Sequence, residues 1–443
     1  MTKNSLLITI DSVRLDVLSD DSFPIISTLR DNGDDFGKTF ATGPGTTPSF
    51  PAMLTGTMPL SYGGLGPLTE ERPLLSHRQR QAGYTTGGFQ CNPFLSRHFN
   101  YDVGFERFED YQNPLMGIAT KVFPRGVEIN NPKLRRIDET LHITDFIKKT
   151  YQLIKGKPRP YVSADVITND AIDWLAETES PFFGWVHYMD VHHPCFPPET
   201  YRKQYGVADV TQTEVSEWYS DLLRNPETLT EEEIHKLKQL YKAAIDYTLE
   251  QIARIITHLK ESGRYEETLI ILTSDHGELF GEFDQYGKPE RMYDELLRVP
   301  LIVSNGPPYL EEATDQLVSL LDIPPLIHDT LNLEIPSGYE GQIPGKDAPR
   351  KYIMAEHEVE GDIIVGARSE EWLYEGDEIH NEHRLFDLRK GKFEQVSVSE
   401  HPEAEEVKSA VLDRLDTLDV DAHDFVDAVD NDVESRLENL GYL

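Results

Sequence analysis

Cysteine is almost missing from this chain. Two residues in 443, Cys91 and Cys195, rule out a disulfide framework, and neither belongs to a CxxC pair. That scarcity implies a reducing compartment. Basic residues are scarce too: 42 Lys and Arg face 78 Asp and Glu, a net charge of −36. The imbalance excludes a general nucleic-acid binder, because phosphates are repelled over most of such a surface. Acidity of this degree in a folded chain suits work in high salt, where screening is strong. Long apolar runs are also lacking. The opening MTKNSLLITID carries too short an apolar stretch for a signal peptide. No segment reaches the roughly 20 residues of a membrane span. A cytoplasmic location is therefore expected. What the chain does have is a 38% apolar share, enough for a sizeable core and against disorder.

The apolar residues are patterned. Strands are predicted over Leu6–Ile10, Phe36–Ala41, Tyr84–Phe89, Phe182–Tyr188, Leu269–Thr273 and Pro300–Ser304, the last two as buried parallel strands. Helices are predicted over Pro48–Leu54, Leu74–Gln81 and Val162–Glu177. The clearest helix runs from about Glu231 to Ser262, where Ile234, Leu237, Tyr241, Ile245, Leu249, Ile252, Ile256 and Leu259 recur at helical steps. Thr230–Glu233 offers it a capping box and Gly263 a stop. Strands alternating with helices predict an α/β fold, a large mostly parallel sheet sandwiched by helices. After about residue 344 the texture changes. Short strands at Lys351–Ala355, Ile363–Arg368, Glu371–Glu375 and His383–Leu388 predict a small antiparallel sheet, followed by acidic helices from about Glu403. The expected division is a catalytic α/β domain over 1–343 and a C-terminal α+β subdomain over 344–443.

Ligands in open α/β sheets bind beyond the carboxyl ends of the strands. Three predicted strand ends here carry chemistry: Asp11, then Asp190-Val191-His192-His193, then Asp275-His276-Gly277. Asp11, Asp275 and His276 can converge on one divalent cation. Carboxylates suit Ca²⁺, Mg²⁺ or Mn²⁺, and an imidazole nitrogen admits Zn²⁺ or Mn²⁺. Thr46 stands just before the helix predicted from Pro48, where unpaired N–H groups and the helix dipole attract an anion. A cation beside it would activate its hydroxyl for attack. Lys288 and His192 can hold anionic oxygens or protonate a leaving group. Together these residues describe displacement at a tetrahedral sulfur or phosphorus centre.

The order of these pieces resembles the sulfatase branch of the alkaline phosphatase superfamily, over nearly the whole chain. LLITIDSVRLDVL looks like the opening strand with its metal-binding Asp11. GTTPSFPAMLTG, GYTTGGFQCNPFLS and VGFERFEDY are similar to the nucleophile helix and the next two elements. WVHYMDVHHPCFPP matches the histidine motif and puts His192 in the family's position. TLIILTSDHGELFGEFDQYGKPERMYDELLRVPLIV resembles the second metal motif and the GK loop, with Asp275, His276 and Lys288. The tail ENLGYL is also similar. The resemblance implies an alkaline phosphatase-like fold, one divalent cation with Ca²⁺ foremost, and a small-molecule or glycan ester as substrate. Four departures stand out. Thr46 occupies the nucleophile position, where Cys or Ser is converted to formylglycine, so no formylglycine is expected. Phe50 replaces the arginine that orients the nucleophile. Ser12 replaces the second aspartate of the opening pair, which weakens affinity for a hard cation. Phe283 stands where relatives often carry histidine. Threonine nucleophiles resemble the superfamily's phosphodiesterases and phosphoethanolamine transferases, so sulfate and phosphate esters both stay open.

Segment 121–160 carries ten basic residues against four acidic ones, +6 within a chain of −36. With Phe146, Ile147, Tyr151, Leu153 and Ile154 it reads as a peripheral membrane contact or as a surface excursion paired with the acidic body. It motivates a second reading, transfer of a phospho- or sulfo-group to a lipid or glycan. Phe50 and Ser12 motivate a third, a non-catalytic descendant of the fold.

Overall fold

The computed structural model describes residues 3–19, 23–31, 33–62, 64–111, 161–179, 181–359, 362–377, 382–389 and 393–418. The basic segment 121–160 and the acidic stretch beyond 418 lie outside them. β1 (Asn4–Ile10) is buried along its whole length, so it belongs inside a sheet. With β2 (Gly33–Asp35), β4 (Thr85–Phe89), β5 (Arg107–Glu109), β6 (Phe182–Tyr188), β7 (Thr268–Ser274) and β10 (Leu301–Ser304), it forms a seven-stranded sheet ordered β2-β10-β7-β1-β6-β4-β5. The strands from β7 to β5 run parallel, whereas β10 lies antiparallel to β7. This corrects the parallel expectation for Pro300–Ser304: an apolar run signals burial on both faces, and direction comes from the connection. Phe36–Ala41 is not one strand either. A turn at Gly37–Lys38 separates β2 from β3 (Thr39–Phe40), which pairs with β11 (Val318–Ser319).

Helices cover both faces. Leu6, Ile8 and Ile10 of β1 pack with Ile167 and Leu175 of the Ala164–Glu177 helix and with Leu249, Ile252 and Ile256 of the Glu231–Glu261 helix. The intervening Leu7 faces the opposite core, with Phe50, Met53 and Leu54 of the Thr46–Thr55 helix. The long helix begins on a complete capping box between Thr230 and Glu233 and stops before Gly263, whose φ is +69°.

A separate antiparallel sheet follows, β12 (Tyr352–Val359), β13 (Asp362–Ser369), β14 (Trp372–Asp377), β15 (Glu382–Asp387) and β16 (Glu394–Val396) in sequence order. The Glu405–Leu415 helix seats Val407 and Val411 against Val365, Ala367 and Tyr374 of this sheet. Among the described residues no helix is long and apolar enough to cross a membrane.

Candidate active site

Register builds the site. Ile10 of β1 pairs with Ser274 of β7, so the next residues, Asp11 and Asp275, leave neighbouring strands at one level. Both are fully buried, as is His276. One ligand atom from each of Asp11, Asp275 and His276 lies within 4.8 Å of the others. The His276 Nδ1–H donates to the Gly277 carbonyl at 2.7 Å, which leaves Nε2 with a lone pair facing the carboxylates.

Thr46 completes the cluster. It is the first residue of its helix rather than a residue before it, because Pro48 and Pro51 fit inside the Thr46–Thr55 helix. Its N-cap, Gly45, offers no side-chain acceptor, so the first-turn N–H groups stay open at a positive helix end. The Thr46 Oγ1 lies 3.0 Å from Asp275 Oδ2 and 3.4 Å from both Asp11 Oδ2 and His276 Nε2. Gly43, in the loop before it, has no room for a side chain: a Cβ would stand 2.4 Å from Pro48 and 2.5 Å from the Glu356 carbonyl.

Two more predicted residues meet each other at the edge of this cluster. Lys288 Nζ lies 3.1 Å from His192 Nε2. The His192 Nδ1–H donates to the His193 carbonyl at 2.6 Å, so Nε2 accepts from the lysine. His193, a residue with no role in the sequence reading, stacks on His192 at 4.3 Å and binds Glu278 Oε1 at 3.0 Å.

The electrostatics follow from burial and crowding. Burial pushes the Asp275 carboxyl up, and the Asp11 carboxylate beside it pushes it further. Burial also opposes charge on Asp11, but His192, Lys288, His276 and His187 outweigh it and hold that carboxyl below the usual range. Burial and then Lys288 lower the His276 imidazole to about 4. Burial, Lys288 and His193 keep the His192 imidazole neutral, well below its ordinary value. Two buried carboxylates facing a deprotonated nitrogen make a donor set that fits a divalent cation.

Three neighbours shape the cluster, and two of them, Asn92 and His187, escaped the sequence reading. Ser12 stands at φ +59°; its N–H donates to Asp275 Oδ1 at 3.1 Å and its Oγ to Asp11 Oδ1 at 2.6 Å. The missing carboxylate is thus replaced by a clamp on the remaining two. Asn92, beyond the end of β4, accepts from Phe94 N–H and donates to Asp11 Oδ2 at 3.3 Å. The strand-end rule that singled out Asp11 applies to Asn92 equally. His187 sits inside β6, with Nδ1 3.0 Å from Thr9 Oγ1 and Nε2 3.8 Å from Asp11 Oδ2. Phe50 covers this ring edge-on at 4.9 Å. A histidine inside a strand gives no sequence signal of that placement.

Known proteins bear on this geometry. A uncharacterized sulfatase from Escherichia coli K12, YidJ, is 31% identical over 45% of this chain and 43% of its own. The chain spans about half the length of the curated relatives it matches. A phosphonate monoester hydrolase from Silicibacter pomeroyi superposes with a TM-score of 0.68 over 94% of this chain and 95% of its own, at 20% identity. BT4656, solved with its substrate D-glucosamine-2-N,6-O-disulfate, gives the same TM-score of 0.68 over 94% and 98%, at 14% identity. At these identities the superpositions establish the fold. The model of one family, described as Sulfatase, matches residues 3–333. That match covers most of the sequence and all three strand-end motifs, and the chain belongs to the sulfatase family.

Proposed function

We propose that this protein is a metal-assisted hydrolase of sulfate or phosphate esters with unmodified Thr46 as nucleophile. The observation that carries the reading is the meeting of Thr46 Oγ1 with Asp11, Asp275 and His276 within 3.4 Å. Asp11, Asp275 and His276 would hold the cation, with Ca²⁺ foremost by family resemblance and Mg²⁺, Mn²⁺ or Zn²⁺ also compatible with the donors. When bound, it supplies Lewis-acid polarisation of the ester and charge compensation for the two carboxylates. The residues do the rest. Thr46 directs its hydroxyl proton at Asp275 Oδ2, and its oxygen attacks sulfur or phosphorus as the ester oxygen departs. The first-turn N–H groups of its helix receive the anionic oxygens. Lys288, held against neutral His192, protonates the departing oxygen. Water then cleaves the Thr46 ester and restores the hydroxyl.

The fold resemblance to both a phosphonate monoester hydrolase and a protein whose substrate is a sugar disulfate supports leaving both ester classes within this reading. A small-molecule or glycan ester is the proposed substrate, and the division near residue 343 into a catalytic body and a C-terminal subdomain is part of the proposal. The test is turnover of 4-nitrophenyl sulfate and 4-nitrophenyl phosphate. Thr46→Ala lowers kcat by about 10³-fold or more, the scale of a lost nucleophile, and Thr46→Ser retains part of it. Full turnover by Thr46→Ala removes the threonine from the chemistry.

A further inference from the structure

Glu278 is a buried acid two residues beyond His276, and the reaction described above leaves it unused. Its backbone is pinned. The Gly277 N–H donates to the Leu296 carbonyl at 2.7 Å, and a Cβ on Gly277 would stand 2.0 Å from the Glu295 carbonyl. Arg14 Nη1 donates to the Glu278 carbonyl at 3.1 Å. On the side chain, Oε1 accepts from His193 Nδ1–H at 3.0 Å, whereas Oε2 is closed to solvent and has no hydrogen-bond partner. A buried carboxyl oxygen without a partner is a cost to the fold. What the side chain contributes therefore lies in what Oε1 holds.

Glu278 fixes the plane of the His193 ring, and two other rings stack against that plane. Tyr219, from the Gln212–Arg224 helix, lies at 5.5 Å with 23° between the planes, and His192 lies at 4.3 Å with 27°. The His193 carbonyl also accepts from His192 Nδ1–H at 2.6 Å, which leaves His192 Nε2 to accept from Lys288 Nζ at 3.1 Å. Tyr219, His193 and His192 are all buried, so water does not compete for these contacts. A chain of contacts runs from Glu278 through His193 and His192 to Lys288.

We propose that Glu278 is a positioning residue for the reaction: through His193 it orients His192 and so aims Lys288 at the departing oxygen. This inference rests on the hydrolase reading above, in which Lys288 protonates that oxygen. It has a chemical signature. An alcohol that is a strong acid departs with little help from a proton donor, whereas a weakly acidic alcohol depends on one. Misaiming Lys288 therefore penalises poor leaving groups, while general damage to the fold slows all esters alike.

The test uses the full chain in CaCl₂ and compares phenyl sulfate and phenyl phosphate with 4-nitrophenyl sulfate and 4-nitrophenyl phosphate, phenol being the weaker acid. For Glu278→Leu, the kcat ratio of phenyl to 4-nitrophenyl ester falls about tenfold with KM little changed, part of the roughly 10²–10⁴-fold that a positioned proton donor supplies. His193→Ala, which removes the intermediary ring, lowers the ratio in the same way. Glu278→Gln keeps a carbonyl oxygen for His193 Nδ1–H and recovers part of it. Lys288→Ala sets the scale. A ratio unchanged in Glu278→Leu and His193→Ala but lowered in Lys288→Ala overturns the positioning role and leaves the hydrolase reading standing. A ratio unchanged in all three removes Lys288 as the donor, and this proposal with it. The His192 Nδ1–H proton resonance, identified by its loss in His192→Ala, is a readout independent of turnover. It shifts in Glu278→Leu and returns toward the wild-type position in Glu278→Gln; a resonance that stays in place in Glu278→Leu overturns the proposal. If the wild type cleaves none of the four esters, the hydrolase reading falls and the proton delivery proposed here falls with it.

Discussion

Asp275→Asn separates the two demands made on this carboxylate. Without a cation, two carboxylates sit buried together, with ligand oxygens within 4.8 Å. At an effective dielectric constant near 20, that separation costs about 3.5 kcal/mol when both are charged. The protein escapes part of the cost by binding a proton, which is why the Asp275 carboxyl is pushed up. The sign follows from linkage: a group whose folded-state pKa is raised gives its stability at low pH and loses it as pH climbs through the raised value. Chelated wild type therefore weakens between the ordinary carboxylate range and neutrality. Asparagine fits the same space. Its Oδ1 keeps the N–H groups of Ser12 and His276, at 3.1 and 2.9 Å, while its amide faces Thr46 Oγ1 and Asp11. With about 2.1 cal/mol/K of unfolding entropy per residue, 1 kcal/mol moves Tm by about 1 °C in a chain of 443 residues. In EDTA at pH 8 the variant melts about 2–3 °C above wild type. Calcium reverses the order: saturation at about 1,000 times Kd adds about 4.1 kcal/mol, or about 4 °C, to wild type, and the variant gains far less. Differential scanning calorimetry in EDTA and in CaCl₂ reads both effects. Equal stabilisation of the two proteins by cation, or a chelated variant less stable than chelated wild type, refutes the reasoning.

Gly43→Ala forces a methyl group to within 2.5 Å of the Glu356 carbonyl and displaces the loop that presents Thr46. It costs about 1–3 kcal/mol of stability in urea unfolding and lowers kcat more than KM. Net charge of −36 makes the folded state self-repelling at low ionic strength, so Tm and activity rise as KCl is added, and a flat KCl titration contradicts a high-salt design.

The sequence announced the site wherever polar residues ended apolar runs. Asp11 and Asp275 were legible because each follows a strand with an apolar centre, Leu6–Ile8 in β1 and Leu269–Leu272 in β7, and parallel pairing in register makes their successors neighbours. Thr46 was legible through its proline-rich helix start, although Pro48 misplaced the boundary by two residues. Direction was not legible: Leu301–Ser304 is apolar whichever way it runs. Contacts made by register across the sheet were hidden for the same reason. His187 reaches Asp11 only because β6 pairs with β1 so that His187 lies beside Thr9.

Phe50 belongs to the apolar packing behind the Thr46 cluster. Its ring is fully buried and packs on Trp185 at 5.6 Å, His187 at 4.9 Å and Tyr101 at 6.4 Å. An arginine in that space would bury a guanidinium among aromatic rings, at a cost of several kcal/mol without a carboxylate partner. The positive charge acting on the cluster comes instead from Lys288, whose field reaches Asp11, Asp275 and His276. The β-branched side chain of Thr46 has few rotamers, and at the first turn of a helix its hydroxyl is already held 3.0 Å from Asp275. Packing by Phe50 and His187 from one side, and the Ser12 clamp from the other, fix the carboxylates against which that hydroxyl is aimed. The position of the Thr46 hydroxyl is here a consequence of apolar packing and a short hydrogen-bond network.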